Sequence, residues 1–353
     1  MAPSSLPLNR FRRLRAAFLV AGPLLAATLL ESGCSGFIAR RMAQAPNTYP
    51  TWLAPAAPVR LAFDERVLAK SPEQFAEVGP PAARLRYRVV EPADYHLQVV
   101  ATASDDQGKK RYRYEFRTQL PEPNAWTSAP RGTVFLLHGY GLAEFAMAPW
   151  AFRLAEDGWR CVLVDLRGHG KSTGKMIYYG TVEARDLSQL LDQLSGRGQA
   201  ASRVAVVGDS YGAALALRWK TTDPRVGWVV AMAPYGVLAD AVVNLCHDYA
   251  HYLPREVLLA GLAQLPAVLG VSEDDLDMTA VLARHPVAAL FVAGAADTVI
   301  PTAAVRQLEA AALPGSELIV VPGATHETLP YHFDELAAPV LKWLGGRPNP
   351  TPP

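Results

Sequence analysis

The sequence is poor in cysteine and in charge, and each shortage excludes a class of protein. Its 353 residues include three cysteines (Cys34, Cys161 and Cys246), which are too few for a disulfide framework. Charged residues make up 19% of the chain and hydrophobic residues 50%, a composition typical of a globular protein and not of a disordered or multi-pass membrane protein. We expect Cys161 and Cys246 to be reduced or buried, with a bridge between them as the less favoured alternative.

The chain also lacks an excess of positive charge. The formal net charge is +1, and residues 1–33 alone contain four arginines against one glutamate, so the remainder is about two charges negative. No basic face is left to attract a polyanion, and we expect no nucleic acid as a partner. The sequence contains no internal repeat.

A long apolar run is missing as well, but a short one lies near the N-terminus. Residues 16–30 form an apolar run of 15 residues behind four arginines, whereas a spanning helix needs about 20. A basic stretch, a short apolar stretch and a small-residue exit predict a signal peptide over residues 1–33. We therefore expect an exported protein, periplasmic or anchored to a membrane surface.

The end of this signal resembles the processing site of bacterial lipoproteins. In that family the cysteine equivalent to Cys34 becomes lipid-modified and is the first residue of the mature protein. Glu31 departs from the pattern, because a small or apolar residue is usual at that position. Lipid attachment at Cys34 is the favoured interpretation, and ordinary cleavage and an uncleaved anchor stay open.

The most informative stretch is residues 204–217, in which an apolar β-type run stops at Gly-x-Ser-x-Gly and a helix-type run follows directly. This is the pattern of a nucleophile elbow, a sharp strand-to-helix turn that exposes the serine hydroxyl. Gly208 and Gly212 remove the Cβ atoms that would collide where strand and helix close on each other. The pattern predicts Ser210 as a nucleophile. An ordinary Gly/Ser turn between a strand and a helix is the alternative.

The segments that precede the elbow differ in composition and in predicted secondary structure. Residues 34–82 are rich in proline and predict an irregular tether or wrapping segment, with one short helix near residues 65–69. Residues 84–119 are β-like, and we expect antiparallel strands that begin the sheet, the last two joined by a hairpin turn at residues 104–108. These predicted strands are 85–90, 95–103 and 112–117.

From residue 133 onwards, strand-like and helix-like segments alternate. The strands are apolar throughout, which indicates a parallel sheet covered by helices on both faces. We assign residues 83–234 and 287–346 to this core, residues 235–286 to a helical lid and residues 347–353 to a proline-rich tail. A dimerisation element is the alternative for the lid. The predicted strands are 133–137, 159–166, 203–207, 226–233, 288–293 and 317–321, and the predicted helices are 144–156, 181–194, 211–221, 302–312 and 331–344.

Two later strands end in residues that complement a nucleophilic serine. Asp297 follows the strand at residues 288–293, and His326 follows the next strand. The carboxyl ends of parallel strands meet at one edge of a sheet, where ligands bind. The order Ser210, Asp297, His326 is the one expected of a strand-turn-helix nucleophile. The sequence therefore predicts a catalytic triad, against a helix cap and a surface-loop histidine as the alternatives.

An oxyanion hole needs two N–H donors. One should be the backbone amide of Tyr211, which directly follows the nucleophile, and the other should come from the loop His138-Gly139-Tyr140-Gly141, where we choose Tyr140. His138 is expected to bond within this loop rather than to transfer protons.

Taken together, these motifs resemble the α/β-hydrolase superfamily. They are the loop at residues 138–141, the stretch 164–172, the elbow, Gly-Ala-Ala-Asp at 294–297 and Gly-Ala-Thr-His at 323–326. Asp-x-Arg-Gly-His-Gly-x-Ser in the second of these resembles the monoglyceride lipase and serine aminopeptidase-like branch. The resemblance implies an α/β fold with an eight-stranded, mostly parallel sheet, the triad already named, and a structural role for residues 165–172.

The resulting expectation is a serine hydrolase of carboxylic esters, without cofactor or metal, acting on a small ester or acyl substrate. The alternatives are an aminopeptidase or amidase, an acyltransferase, a hydrolase of carbon–carbon bonds that uses the same residues, and a non-catalytic binding protein. A peptidase would need an acidic pocket for an ammonium group, which residues 273–277 could supply. His247 and His251, spaced i and i+4, could bind zinc, but the sequence offers no third ligand.

Overall fold

The computed structural model describes residues 34–48, 59–63, 65–106, 109–119, 128–249 and 253–346. The predicted signal peptide at residues 1–33 and the predicted tail at residues 347–353 lie outside the described residues. Within the described part of the chain, no helix is long and apolar enough to cross a membrane.

Strands and helices alternate along most of the chain, as predicted. The strands are β1 (Val59–Phe63), β2 (Gln74–Val78), β3 (Ala83–Val90), β4 (Gln98–Asp106), β5 (Lys109–Arg117), β6 (Thr133–Leu137), β7 (Arg160–Val164), β8 (Val204–Asp209), β9 (Val226–Met232), β10 (Leu290–Gly294) and β11 (Glu317–Val321). The α-helices are α1 (Cys34–Ala43), α2 (Glu65–Ala69), α3 (Ala148–Glu156), α4 (Glu183–Gly196), α5 (Tyr211–Thr222), α6 (Leu238–Tyr249), α7 (Arg255–Leu269), α8 (Met278–Arg284), α9 (Thr302–Ala311) and α10 (Phe333–Gly345).

The central sheet has eight strands in the order β11-β10-β9-β8-β6-β7-β3-β2. Every neighbouring pair from β11 to β7 is parallel, and β3 pairs antiparallel with both β7 and β2, so the sheet is mixed. All residues of β6, β8, β9 and β10 are buried. Their mostly apolar sequences are explained by helices that cover both faces, because such strands have no solvent-facing side.

The predicted edge hairpin is real, but it does not belong to the central sheet. β4 and β5 pair antiparallel, and β5 also pairs in parallel with β1 in a separate three-stranded sheet. Tyr114 and Phe116 of β5 are buried, and their rings lie 5.2 and 6.0 Å from those of Tyr331 and Phe333. The hairpin thus packs its aromatic face against the start of α10 and does not extend the sheet.

The prediction that residues 34–82 are irregular is wrong. This segment contains α1, β1 and β2, as well as the predicted short helix, which is α2. β2 occupies the sheet edge predicted for the hairpin, and its residues alternate in burial over its last three positions. The prediction failed because it took the high proportion of proline to indicate irregular structure. Pro72, Pro80 and Pro81 lie between helices and strands and not inside them.

Helices α6, α7 and α8 lie between β9 and β10 and form what we call the helical insertion, in the segment predicted to be a lid. α7 packs on α6, and α8 contacts both α5 and α9. The insertion follows the carboxyl end of β9, so it begins at the same edge of the sheet as the loops after β6, β8, β10 and β11. This edge is where the candidate site lies.

Candidate active site

Ser210 occupies a sharp turn between β8 and α5. Its φ of 52° and ψ of −109° are strained values for a residue with a side chain, in a region that costs about 1–3 kcal/mol. A Cβ atom on Gly208 would lie 2.3 Å from the carbonyl oxygen of Gly212, and one on Gly212 would lie 2.3 Å from that of Leu137. Only glycine fits at these two positions, so the Gly-x-Ser-x-Gly spacing follows from the close approach of strand and helix.

The three residues predicted as a triad lie together. The Oγ of Ser210 is 2.9 Å from Nε2 of His326, and Nδ1 of His326 is 2.9 Å from Oδ2 of Asp297. The serine comes from the end of β8, the aspartate from the loop after β10 and the histidine from the loop after β11. Adjacent parallel strands deliver the aspartate and histidine side by side at the carboxyl edge of the sheet.

Asp297 is held firmly in its orientation. Its Oδ1 accepts hydrogen bonds from the backbone N–H groups of Val299 at 2.9 Å and Ile300 at 2.7 Å, and its side chain is fully buried. Oδ2 is therefore the oxygen that faces His326. The carboxylate caps this tight turn and not helix α9, whose N-cap is Pro301 without a side-chain bond.

The imidazole of His326 has one tautomer that satisfies both neighbours. Because the carboxylate of Asp297 can only accept, Nδ1 carries the proton and Nε2 presents its lone pair to the Ser210 hydroxyl. Burial lowers the pKa of His326, but the hydrogen bond and charge of Asp297 outweigh it, so the pKa lies above its ordinary value of 6.5. This arrangement suits a base that accepts a proton from the serine.

A second carboxyl group lies beside the nucleophile and was missed by the sequence analysis. Asp209 is 7% exposed, and its Oδ1 has no hydrogen-bond partner within the described residues. Its Oδ2 lies 3.0 Å from the position that a Cβ atom on Gly139 would take. Burial raises the pKa of Asp209 to about 7, and the charges of Asp297 and Glu327 add to this while that of His326 opposes it.

The loop after β6 passes close to Ser210. A Cβ atom on Gly139 would lie 3.6 Å from the Cβ atom of Ser210, so this loop approaches the nucleophile closely. Tyr211 is the first residue of α5, and helix geometry leaves the amide of a first residue without an intrahelical acceptor. The predicted oxyanion donors, Tyr140 and Tyr211, thus stand on two backbone segments that flank the serine, with ring centroids 6.4 Å apart.

His138 bonds within its own loop, as its sequence context indicated. Its Nε2 accepts from the backbone N–H of Leu166 at 3.1 Å, so Nδ1 carries the proton and donates to the carbonyl of Gly139 at 2.8 Å. Complete burial lowers the pKa of His138, which keeps the ring neutral. The ring therefore ties the loop after β6 to the loop after β7.

Buried hydrogen bonds and ion pairs hold the segment after β6 in place. Asp165 is fully buried and accepts from the backbone amides of Glu144 and Lys171, each at 2.8 Å. The side chain of Glu144 lies 2.6 Å from Arg86 and 2.7 Å from Arg88. Two arginines of β3 thus hold the loop that approaches Ser210, a link that spans more than 50 residues of sequence.

The Asp-x-Arg-Gly-His-Gly-x-Ser stretch is structural in the way that the resemblance implied. Arg167 forms a buried two-pronged ion pair with Asp186 of α4 at 2.7 and 2.8 Å, and Ser172 donates to the carbonyl of Asp165 at 2.6 Å. The ring of His169 contacts those of Tyr140 and Tyr211, with centroids 5.9 and 5.6 Å away.

Other candidate residues are not part of the site. The described residues contain no group of three or more His, Cys, Asp or Glu side chains that could hold a metal ion, and His247 instead lies 3.0 Å from Asp248. His251 is outside the described residues. Cys161 and Cys246 are both free. Of the side chain of Cys34, at the start of α1, the structure gives no description.

The acidic stretch at residues 273–277 forms capping interactions with neighbouring residues. Asp275 and Ser272 form a reciprocal capping box on a short 3-10 helix, and Asp277 caps α8 through the amides of Thr279 and Ala280. Asp274 is largely exposed and lies 3.2 Å from Arg284. The carboxylates of this stretch thus cap helices or face solvent.

Comparison with known proteins finds similarity to α/β hydrolases in sequence over part of the chain and in fold over most of it. The family model described as serine aminopeptidase, S33, matches residues 128–265, which include the elbow but neither Asp297 nor His326. Among curated proteins, an uncharacterized protein of Mycobacterium tuberculosis is 29% identical over 202 residues, 57% of this chain and 65% of that protein. The uncharacterized protein YqkD of Bacillus subtilis is 28% identical over 85 residues, 24% of this chain and 28% of that protein. The matches thus span less than two thirds of these relatives.

Solved structures match over a larger part of the chain. The Pyrococcus furiosus esterase Pf2001 superposes with a TM-score of 0.56 at 20% identity, covering 82% of this chain and 98% of the esterase. A hydrolase from Pseudomonas aeruginosa gives 0.53 at 19% identity, covering 78% and 98%. An esterase from Exiguobacterium antarcticum gives 0.52 at 16% identity, covering 77% and 99%. Strand order, elbow and comparisons lead to one conclusion, that this chain has the α/β-hydrolase fold.

Proposed function

We propose that this protein is a serine hydrolase that cleaves carboxylic esters, in the manner of a carboxylesterase or a monoacylglycerol-type lipase. The observation that carries the proposal is the continuous hydrogen-bonded chain from Ser210 through His326 to Asp297. Nucleophile, base and orienting acid have the mutual distances that acyl transfer through a serine requires. Ser210 and His326 are both partly exposed, so a substrate can reach them.

In the first half of the reaction, Ser210 Oγ attacks the ester carbonyl while its proton moves to Nε2 of His326. Asp297 keeps the imidazole in the required tautomer and stabilises the imidazolium that forms. The protonated Nε2 then donates to the leaving alkoxide as the carbon–oxygen bond breaks. The products of this half are an alcohol and an acyl group bonded to the serine.

The tetrahedral intermediate needs donors for its oxyanion. The backbone N–H groups of Tyr140 and Tyr211 are the proposed donors, because they flank the serine on two braced segments. A preorganised donor of this kind contributes about 3–4 kcal/mol to transition-state stabilisation. The ion pairs of Glu144 with Arg86 and Arg88 help to preorganise the first segment.

In the second half, a water molecule replaces the alcohol. His326 takes a proton from the water, the resulting hydroxide attacks the acyl carbonyl, and the proton returns to Ser210 Oγ as the acid leaves. The reaction consumes one water and one ester and yields one acid and one alcohol. No other reactant is required.

An apolar acyl or alkyl chain suits the helical insertion. α6 and α7 present Val242, Leu245, Leu259 and Leu262, all of which are only partly buried. We propose that the insertion acts as a lid over the site and that its apolar residues contact the substrate chain. This is the basis for choosing esters of fatty acids over small polar amides.

A serine aminopeptidase is the second candidate, because that is the description of the matching family model. The acidic stretch at residues 273–277 does not favour it, since its carboxylates cap helices or face solvent. An acyltransferase would use the same triad with water excluded, and a non-catalytic binding protein would not need Ser210 to be reactive.

The test is hydrolysis of p-nitrophenyl esters from acetate to laurate, with wild type beside Ser210→Ala. We expect a maximum at one chain length and a loss of at least about a thousandfold in the variant. Ser188→Ala is the matched control, because the Ser188 hydroxyl donates to a carboxylate, that of Asp223 at 2.6 Å, and not to a histidine. It should retain activity.

A fluorophosphonate probe separates the alternatives. Labelling of wild type and Ser188→Ala but not of Ser210→Ala supports a reactive Ser210. Labelling without hydrolysis of any ester would favour peptide or amide substrates, and no labelling at all would favour the non-catalytic binding protein. Ester hydrolysis that survives in Ser210→Ala would refute the proposed nucleophile.

A further inference from the structure

Leu142, on the loop after β6, is an exposed apolar residue beside the nucleophile that the mechanism above does not use. Its side chain is 38% exposed. Cδ1 of Leu142 and Cβ of Ser210 lie 3.5 and 3.6 Å from one point, the position that a Cβ atom on Gly139 would take. Only the side of Gly139 that lacks a side chain separates the leucine from the serine, so Leu142 borders the space in which a substrate of Ser210 must lie.

A tight turn places Leu142 at this position. The amide of Leu142 donates to the carbonyl of Gly139 at 3.2 Å, and Gly141, the third residue of the turn, has a φ of 73°. Glycine adopts this left-handed conformation without steric cost. Two residues beyond the turn, the amide of Glu144 donates to buried Asp165 at 2.8 Å. The leucine is therefore held in a defined position at the edge of the site.

The loop after β6 and the start of α3 pack against the loop that carries His326. Nε1 of Trp150 donates to the carbonyl of Pro330 at 2.7 Å, and the hydroxyl of Tyr331 donates to the carbonyl of Ala146 at 3.4 Å. These two hydrogen bonds join segments that are about 180 residues apart in sequence. The loop of Leu142 and the loop of the catalytic base are therefore neighbours at the rim of the site.

The carboxyl group of Asp209 lies at the same place. Its Oδ2 is 3.0 Å from the Cβ position on Gly139 that Leu142 also approaches. The charges that act on this carboxyl group are those of His326, Asp297 and Glu327, which lie on the loops after β10 and β11. The space next to Leu142 is thus on the His326 side of the nucleophile.

The proposed reaction gives each substituent of the tetrahedral intermediate a direction. The oxyanion faces the backbone N–H donors, and the leaving oxygen faces Nε2 of His326, which must protonate it. The group attached to the leaving oxygen therefore extends along the His326 side of the nucleophile. Leu142 is the exposed apolar side chain that this group meets there.

We propose that Leu142 is a specificity-determining residue, which contacts the alcohol group of the ester and selects an apolar alcohol. An apolar side chain gains free energy by covering an alkyl chain, whereas it leaves the hydroxyl groups of a glycerol without hydrogen-bond partners on that side. The inference rests on the proposed ester hydrolase and narrows its substrates to esters of alkyl alcohols, in preference to monoacylglycerols.

Two substrate series vary the two ends of the ester separately. Alkyl butyrates from ethyl to hexyl vary the alcohol, and p-nitrophenyl esters from acetate to laurate vary the acyl group. kcat/KM reports the step in which the alcohol leaves, and is measured for wild type, Leu142→Ala and Leu313→Ala. Leu313 is the matched control, because it is 42% exposed and lies between α9 and β11, at the opposite edge of the sheet. Thermal denaturation verifies that each variant is folded.

For wild type we expect kcat/KM to rise by about fivefold or more from ethyl to hexyl butyrate. Leu142→Ala should remove most of this dependence, and should lower kcat/KM for the p-nitrophenyl esters by the same factor at every acyl length. Leu313→Ala should match wild type in both series. These results together would support a contact between Leu142 and the alcohol group.

Other results would overturn the inference. One is a wild type that does not distinguish the alcohols, another is a dependence on alcohol length that survives in Leu142→Ala, and a third is an effect of Leu142→Ala that varies with acyl length. Each of these leaves the ester hydrolase in place. Absence of hydrolysis with every ester would refute the proposed function and this inference with it, so the two failures are distinguishable.

A polar alcohol of similar size adds a second measurement. Butyl butyrate and glyceryl monobutyrate differ mainly in the hydroxyl groups of the alcohol. Wild type should prefer butyl butyrate by about tenfold in kcat/KM, and Leu142→Asn, which is of similar shape but polar, should reduce this preference severalfold. An unchanged preference in Leu142→Asn would contradict the contact.

Discussion

Nε2 of His326 lies 2.9 Å from Oγ of Ser210, although 116 residues separate them in sequence. The serine lies on a strained turn between β8 and α5, and the histidine lies on the loop after β11. The contact depends on two features that can be tested separately, the protonation state of the histidine and the carboxylate behind it.

The pH dependence of ester hydrolysis should report the pKa of His326. Only the neutral imidazole can accept the serine proton, so activity is lost as the pH falls through the folded-state pKa. Although burial opposes it, the interaction with Asp297 raises that pKa above 6.5. We expect the acidic limb of kcat/KM to have its midpoint above pH 6.5, and a midpoint below that value would contradict the assignment.

Asp297→Asn should lower kcat by about 10³–10⁴-fold with little loss of stability. The two backbone N–H groups of Val299 and Ile300 require an acceptor, so the amide oxygen of the asparagine takes the place of Oδ1. Its NH₂ group then faces Nδ1 of His326 and forces the proton onto Nε2. In that tautomer the imidazole cannot accept from Ser210.

Steady-state kinetics and denaturant unfolding of this variant separate the two effects. Asp240→Asn, at an exposed position on α6, serves as the control and should leave kcat unchanged. Retention of most activity in Asp297→Asn would show that the carboxylate does not set the tautomer.

Asp209→Asn should stabilise the protein in a manner that increases with pH. Burial raises the pKa of Asp209 to about 7 from 3.8, so the folded state binds more protons than the unfolded state between these values. The contribution of this group to stability is fully present below the unfolded pKa of 3.8 and is lost as the pH rises through the folded-state pKa. At about pH 8 the gain in the variant should approach about 4 kcal/mol, and at about pH 4 it should be small.

Urea unfolding at both pH values measures this difference. Asp240→Asn should show no such increase between the two pH values. A gain for Asp209→Asn that is equal at both values would mean that the ionised carboxyl is not the source of the instability.

Gly212→Ala should lower the free energy of unfolding by about 2–4 kcal/mol, because its Cβ atom would lie 2.3 Å from the carbonyl oxygen of Leu137 and 2.7 Å from that of His138. Gly196→Ala is the matched control, since a Cβ atom at the end of α4 meets nothing within 4 Å. It should be neutral or stabilising by about 0.4–1 kcal/mol. Denaturant unfolding of both variants measures the two changes in the free energy of unfolding. Comparable losses of stability would argue against the steric explanation.

The sequence by itself determined the features that depend on short-range sterics and on strand order. Gly208, Ser210 and Gly212 specify the elbow because a strand and a helix can meet at that distance only over glycine. Asp297 and His326 could be located because each follows an apolar strand, and parallel strands end at a common edge. These signals can be read from short stretches of sequence, once the stretches are assigned to parallel strands.

Only the tertiary structure decided which strand takes the sheet edge and what surrounds the site. An alternating pattern is compatible with either sheet. The packing of Tyr114 and Phe116 against Tyr331 and Phe333 decides for the separate sheet. The raised pKa of Asp209 and the pairing of Glu144 with Arg86 and Arg88 arise from burial and from contacts between distant segments. Helix α1 likewise packs on α7 through Ile38 and Gly261, which are more than 200 residues apart in sequence. No local pattern encodes this contact.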